Sequence, residues 1–373
     1  MKVGIQMDNS YVMVRNIRPG NTILEDIFIN TSFPIVRKNT KMTALHIEAL
    51  EAFGVKEVKI AKLVIKRKEV VEDKEIQVVD PDEVLAKLEL EKEVIQEHFN
   101  TAVKDYRKEF NAWRAGIKPD VVKVRSIILP LLEKFSKEKK LLTMLNDFSN
   151  PENYLYQHSI AVGILAFAIG KEMNFSVGQT LQLGIAGTLA DCGMAKIDLS
   201  IIKKAAFLTS EEFNEVKKHP LYSYQMVRDT PLLRQELKIA IVQHHERLDG
   251  SGYPRGDKSE KITVFAQILA IADVYHAMTS ERVYRSKESP FKVIEMLMEE
   301  EFGRFDINAV QALYNLVGHL SIGTKVRLTN GKEGTVVFVH RDARLRPTIK
   351  LNEDNSVLDL TTIRSLAVER VLS

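Results

Sequence analysis

Two carboxylates sit in the middle of apolar runs that read as helices, Asp191 inside LGIAGTLADCGMAKI and Asp273 inside VFAQILAIADVYHAM. An unpaired buried charge costs several kcal/mol, so a fold that buries these runs must bring a compensating group to each acid. Neither run carries a Lys or Arg spaced to do this. Five of the chain's 9 histidines (His158, His219, His244, His245 and His276) fall in the same stretch, most of them beside apolar helix faces. A divalent cation held jointly by imidazoles and carboxylates satisfies both residue types at once.

The surrounding pattern is helical. From Pro151 to about Leu320 nearly every segment reads as helix joined by short turns, and His158, Ala161, Val162, Leu165, Ala168 and Ile169 share one 3.6-period face. Thr209 with Glu212 forms a capping box before a helix expected to end at His219-Pro220, and Thr230-Pro231 is expected to open the stretch that runs to His244-His245. The longest apolar run, Ile160 to Gly170, is about half of the ~20 residues a membrane span needs, which predicts a buried helix and no span. The N-terminus has polar residues where a signal peptide needs its apolar core, so the cytoplasm is the expected compartment.

Outside this stretch the chain changes character. Residues 1–62 alternate short apolar and polar runs and then read as helix over Thr43 to Phe53, a small α/β module; residues 63–123 read as a charged helical connector; residues 321–373 read as a small SH3-like β unit around the Asn330-Gly331 turn. A mainly α chain is expected. With 53 basic and 50 acidic residues the net charge is +3, so no nucleic-acid partner is expected and any phosphate affinity must be local. Arg341, Arg344 and Arg346 accordingly read as a solvated hairpin. The single cysteine, Cys192, excludes an intrachain disulfide framework and a thiolate zinc site, and reads as a small buried residue.

The second clue follows the paired histidines. HHERLDGSGYPRG places glycines, a proline and Arg247, Asp249 and Arg255 directly behind two imidazoles; glycines admit close backbone approach and arginines pair phosphate oxygens. This segment, with AIADVYHAMTSERVYR, resembles the HD-GYP family of the HD phosphohydrolase superfamily, bacterial metal-dependent phosphodiesterases that hydrolyse cyclic di-GMP. The resemblance covers residues 124–320 and implies an HD-type all-helical core. It also implies metal ligands at His158, Asp191, His219, His244, His245 and Asp273. Asp191 would bridge two cations, with His158 and Asp273 on one and the three remaining histidines on the other. Fe or Mn is the metal it implies. Arg247, Arg282, Arg285, Gly252 and Tyr253 are the substrate-contacting positions it implies, Asp191 the catalytic one, and cyclic di-GMP or a related cyclic nucleotide the ligand. A protein signalling partner and a homodimer are compatible with it.

The chain departs from the family pattern at three places. The histidine of the eponymous His-Asp pair is Ala190, the lysine three residues after Asp191 is Met194, and the aspartate three after Asp273 is His276. Tyr154 stands where some members carry a glutamate for a third metal, so two metals at most are expected, with one site weak or empty. Three readings stay open on the sequence: a working but weakened phosphodiesterase, a module that binds cyclic di-GMP or a protein without chemistry, and an enzyme for a different phosphoester. His276 reads either as an exposed helix residue or as a substitute ligand one turn from Asp273.

Overall fold

The computed structural model describes residues 7–14, 17–18, 21–28, 36, 38–40, 42, 47, 50 and 55–63 of one compact unit, and residues 81–137, 141–281, 287–299, 303–318, 320–340 and 343–372 of a second. Among its described residues, the first unit, Met1–Val79, carries a three-stranded antiparallel sheet. Strand β1 (Met7–Met13) pairs with β3 (Glu57–Leu63) in a register that sets Met7 opposite Leu63 and Met13 opposite Glu57, and β2 (Thr22–Ile23) lies on the other side of β3. Val14, Ile23, Ile27, Leu50, Val58 and Ile60 form its core. Most of the helix expected over Thr43 to Phe53 lies outside the described residues.

The second unit, Asp80–Ser373, is mainly helical. It opens with α1 (Pro81–Arg114), whose buried residues Phe99, Ala102, Val103, Tyr106, Phe110 and Trp113 recur every three or four positions. The segment read as a charged connector thus carries an apolar stripe that packs into the main core. Its Tyr106 hydroxyl donates to the Thr188 carbonyl at 3.0 Å, three residues before Asp191. Next come α2 (Val121–Lys137) and the short α3 (Leu141–Met144).

At the centre lies α4 (Tyr154–Glu172), buried without interruption from Gln157 to Gly170. The sequence pattern gave this helix one apolar face; packing on all sides is the reason its run is apolar throughout. It crosses α5 (Val177–Leu189), which starts from a Ser176–Gln179 capping box. The crossing is backbone-close. A Cβ on Gly163 would stand 2.2 Å from Thr188 Oγ1 and 2.7 Å from the Gly184 carbonyl oxygen.

Two helix boundaries differ from expectation. The Thr209–Glu212 capping box is present, but its helix α7 (Ser210–Val216), which follows the single turn α6 (Leu199–Ile202), stops before His219. His219-Pro220 instead opens α8 (His219–Val227), because proline lacks the N–H that a helix interior needs and its fixed φ suits a first turn. Thr230-Pro231 does not start a helix. Gln182 holds this segment as a turn, donating to the Leu232 carbonyl and accepting from the Arg234 N–H, so α9 (Gln235–Gln243) begins four residues later. The bundle closes with α10 (Val264–Thr279), α11 (Pro290–Glu299) and α12 (Ile307–Val317).

The C-terminal residues form a five-stranded antiparallel sheet in the order β7-β6-β5-β4-β8, from β4 (Lys325–Leu328), β5 (Glu333–Phe338), β6 (Thr348–Leu351), β7 (Val357–Asp359) and β8 (Val368–Val371). Val326, Leu328, Val336, Ile349, Leu351 and Val368 point to its buried side. Arg346, read as part of a solvated hairpin, is instead ion-paired to Glu295 of α11 and donates to the Leu360 carbonyl, fastening the sheet to the bundle; Arg341 lies outside the described residues. No helix among the described residues is long and apolar enough to cross a membrane.

Candidate metal centre

Five elements deliver six side chains to one place. His158 stands in the second turn of α4, and Asp273 in the third turn of α10. His219 is the first residue of α8, and His244 and His245 follow α9 directly. Asp191 lies between the end of α5 and a 3-10 turn, Cys192–Lys196. Ser223 of α8 clamps that turn: its hydroxyl donates to the Ala190 carbonyl at 2.6 Å and accepts from the Gly193 N–H at 2.8 Å. Gly193 is required for this approach, since a Cβ there would stand 2.2 Å from the His219 carbonyl oxygen.

The donor atoms fall into two groups that share Asp191. One is Asp191, His219, His244 and His245, and the other is His158, Asp191 and Asp273; within each group the ligand atoms all lie within 4.8 Å of one another. His219 Nε2 and His244 Nε2 stand 3.1 and 3.4 Å from Asp191 Oδ1, and 3.4 Å from each other. His158 Nε2 is 2.9 Å from Asp273 Oδ1 and 3.6 Å from Asp191 Oδ2, and His245 Nδ1 is 3.6 Å from Asp273 Oδ2.

Hydrogen bonding fixes what these atoms offer. His219 Nδ1 contacts the Val216 carbonyl at 2.7 Å and His244 Nδ1 contacts the Ile241 carbonyl at 2.6 Å. A carbonyl only accepts, so each Nδ1 carries the hydrogen, and in the neutral ring each Nε2 presents a lone pair. Two lone pairs therefore converge on a carboxylate oxygen, Asp191 Oδ1, that is buried without a hydrogen-bond partner. Such a set is unfavourable without a proton or a cation between its members, and imidazoles oriented through their second nitrogen are the usual metal-binding arrangement. The residues fit a divalent cation.

The electrostatics agree. Burial alone would push the Asp191 carboxyl up, but His219 and His244, then His158, hold it well below the usual carboxylate range. Asp273 is likewise lowered, burial being outweighed by His245 and His158. Burial also works against a charged His244, yet Asp191 and Asp273 raise its pKa, whereas burial and the neighbouring His244 lower that of His245. Burial pushes the Cys192 thiol up to about 12, which leaves it protonated and inert at neutral pH.

His276 is fully buried, correcting the exposed reading, and is absent from both ligand groups. It stands behind His158, with the two Nδ1 atoms 3.0 Å apart, and its other nitrogen lies 3.3 Å from Ser149 Oγ and 3.2 Å from Ser280 Oγ. The Tyr154 hydroxyl also reaches His158 Nδ1, at 3.2 Å. Ala190 is buried and supplies no donor.

The loop after His245 is more closed than the sequence suggested. What Gly252 makes room for is the chain's own backbone: a Cβ there would stand 2.4 Å from the His245 carbonyl oxygen and 2.5 Å from the Arg247 nitrogen. Tyr253 stacks on the His245 ring with centroids 4.7 Å apart, and the Lys217 ammonium lies 5.9 Å from the Tyr253 ring centre. The Arg247 guanidinium lies over the Phe305 ring at 4.7 Å and donates to the Glu246 carbonyl. Arg282 and Arg285 lie outside the described residues.

Two functional residues escaped the sequence reading. Glu246 is a buried acid whose carboxylate accepts from the Arg255 and Asp257 N–H groups at 2.8 and 3.1 Å, pinning the loop that carries Tyr253. Its signal was an acid directly between two ligand histidines and a glycine-rich loop. Ser223 had no such signal, because its role depends on the crossing of α8 with a turn some 30 residues away.

The chain is similar to known proteins in sequence and fold. A family model described as HD domain matches residues 138–308. The cyclic di-GMP phosphodiesterase PA4108 of Pseudomonas aeruginosa is 30% identical over 242 residues, covering 65% of this chain and 58% of that protein. A cyclic di-GMP phosphodiesterase of Thermotoga maritima is 36% identical over 163 residues, covering 42% and 44%. The chain thus spans about half the length of the curated relatives it matches. Among solved structures, Bd1817, an HDG"Y"P protein from Bdellovibrio bacteriovorus, superposes with a TM-score of 0.50 at 15% identity over 84% of this chain and 100% of that one, a likeness of fold.

Proposed function

We propose that this chain, whose residues 138–308 match a family model described as HD domain, is a metal-dependent phosphodiesterase of the HD-GYP type acting on a cyclic dinucleotide, with cyclic di-GMP as its substrate and Mn²⁺ or Fe²⁺ as its metal. The observation that carries the reading is the pair of ligand groups joined at Asp191, with His219 and His244 aimed by backbone carbonyls. When bound, divalent cations polarise a phosphoryl oxygen and acidify a water molecule.

The chain's own residues do the rest. Asp191, held anionic by its imidazole neighbours and braced through Ser223, joins the two groups. His158 is steadied from behind by Tyr154 and His276. The Tyr253 ring, stacked on His245, offers a face for a nucleobase, and Lys217 beside it offers a cation for a phosphate. Glu246 keeps that loop closed on the site. In this reading residues 124–320 are the catalytic domain.

Ala190 and Met194 favour a second reading, a domain that binds the cyclic dinucleotide without turning it over. Loss of one electrostatic group at a reacting phosphate costs ~10²–10³ in rate, and one ligand group has three residues against four in the other. Incubating the Mn²⁺-loaded protein with cyclic di-GMP and looking for linear pGpG or GMP separates the two. Product supports the enzyme; binding by calorimetry without product at high protein concentration overturns it in favour of the second reading.

A further inference from the structure

The histidines of the metal centre are not all oriented in the same way. His219 and His244 each meet a backbone carbonyl through Nδ1, which fixes Nε2 as the nitrogen with the lone pair. His158 meets side chains instead: its Nδ1 lies 3.0 Å from His276 Nδ1 and 3.2 Å from the Tyr154 hydroxyl. Its Nε2 faces the acids, 2.9 Å from Asp273 Oδ1 and 3.6 Å from Asp191 Oδ2. For Nε2 to offer its lone pair to a cation, the hydrogen of the neutral ring must sit on Nδ1, and a buried N–H requires an acceptor.

His276 is placed to be that acceptor. Two Nδ1 atoms 3.0 Å apart form a hydrogen bond only when one carries the hydrogen and the other does not. His276 Nδ1 accepts when its own ring hydrogen is on Nε2, and that nitrogen lies 3.3 Å from Ser149 Oγ and 3.2 Å from Ser280 Oγ, both able to accept. Ser280 Oγ also stands 3.3 Å from His276 Nδ1, but its hydrogen goes to Ser149 Oγ, at 3.3 Å, which leaves Nδ1 to His158. His276 and Ser280 are buried, so bulk water does not compete for these bonds. Tyr154, one turn before His158 on α4, stacks on the His158 ring with centroids 5.2 Å apart; its phenol oxygen is a weaker acceptor than an imidazole nitrogen.

We infer that His276 is a positioning residue that decides which nitrogen of His158 faces the cation. On the metal-centre reading, which this role presupposes and deepens, the group His158, Asp191 and Asp273 depends on His276, and the group Asp191, His219, His244 and His245 does not. A neutral acceptor raises the basicity of a ligating imidazole less than a carboxylate does. His276 therefore weakens its group beyond what the smaller number of ligands does.

The test is Mn²⁺ binding to the purified full-length protein, followed by calorimetry and by the metal retained after equilibrium dialysis, with no nucleotide present. His158→Ala identifies the equivalent that belongs to the His158 group. In His276→Leu, which fills the space but cannot accept, the affinity of that equivalent should fall ~10–100-fold while the other stays unchanged. His276→Asn, whose amide oxygen can take the place of Nδ1, should restore most of the loss. Restoration by the smaller polar side chain, and not by the apolar one that fills the space better, is an outcome that packing alone does not produce. His276→Asp should tighten the same equivalent, and if the wild-type chain retains only one Mn²⁺ this variant should gain the second. If circular dichroism shows that His276→Leu is unfolded, Ser149→Ala with Ser280→Ala carries the test and should weaken the same equivalent alone, because Nε2 then loses its acceptors. Equal losses at both equivalents, equal affinities in the Leu and Asn variants, or no second Mn²⁺ in His276→Asp of a one-metal chain overturns the inference. A wild-type chain that binds no Mn²⁺ overturns the metal centre and the inference with it, whereas hydrolysis of a nucleotide enters none of these readouts.

Discussion

Replacing Ser223 by alanine tests whether the turn that presents Asp191 is a built feature. The hydroxyl makes two buried hydrogen bonds, one from the Gly193 N–H and one to the Ala190 carbonyl. Removing it leaves a buried donor unpaired, which costs about 1–3 kcal/mol, and forfeits a second bond whose net contribution is about 1 kcal/mol, for a total of about 2–4 kcal/mol. The side chain touches no ligand atom itself. It acts by holding the two residues that flank Asp191, so metal affinity should fall ~10–100-fold, as for other groups that orient a ligand. Urea unfolding of the chelator-treated protein measures the first quantity, and calorimetric titration with Mn²⁺ measures the second. A loss of stability with unchanged Mn²⁺ affinity would show that the clamp serves the fold alone, and unchanged stability would refute the hydrogen bonds themselves.

Four further outcomes follow from the geometry. Gly163→Ala should destabilise by about 1–3 kcal/mol through overpacking at the α4–α5 crossing, and Thr188→Ala in the same chain should recover part of this, because Thr188 Oγ1 is the atom the new Cβ meets; thermal unfolding of the single and double variants checks it. In the metal-free protein, the raised His244 pKa contributes stability in full below its ordinary value of ~6.5 and loses it as pH rises through the folded value, whereas the lowered His245 pKa costs stability below ~6.5. Metal needs both rings neutral, so the rise in Tm on adding Mn²⁺ should grow as pH increases above ~6.5, and a constant rise contradicts this. Cys192, buried with its thiol pushed up to about 12, should resist iodoacetamide at neutral pH until the protein unfolds, which mass spectrometry detects. Ala190→His with Met194→Lys should raise the hydrolysis rate by ~10²-fold or more if these substitutions are what limits turnover.

What the sequence revealed and what it hid have distinct physical causes. That acids and imidazoles in apolar runs must find each other was legible in the sequence, and the choice of the six side chains that converge came from the family resemblance of the segments HHERLDGSGYPRG and AIADVYHAMTSERVYR. The short elements around His219 and Pro231 were misplaced, since a proline fits the start of one helix as well as the end of another, and only Gln182 from a distant helix decides the second case. His276 could not be assigned from spacing, because one helical turn from Asp273 places it on the right side of α10 but not at the right depth. The contact of Arg247 with Phe305 and the backbone closure of Gly252 against His245 join segments that no local pattern relates. The clamp through Ser223 and the brace through Glu246 depend on tertiary contacts that no local pattern encodes.

The most direct test of the central claim is hydrolysis of cyclic di-GMP by the purified chain, with metal content measured on the same sample. The account predicts linear pGpG or GMP with Mn²⁺ present, no product after chelation, and no product from Asp191→Asn, which removes the charge shared by both ligand groups. Absence of product from a sample shown to carry its metals, or product that persists in Asp191→Asn, contradicts it.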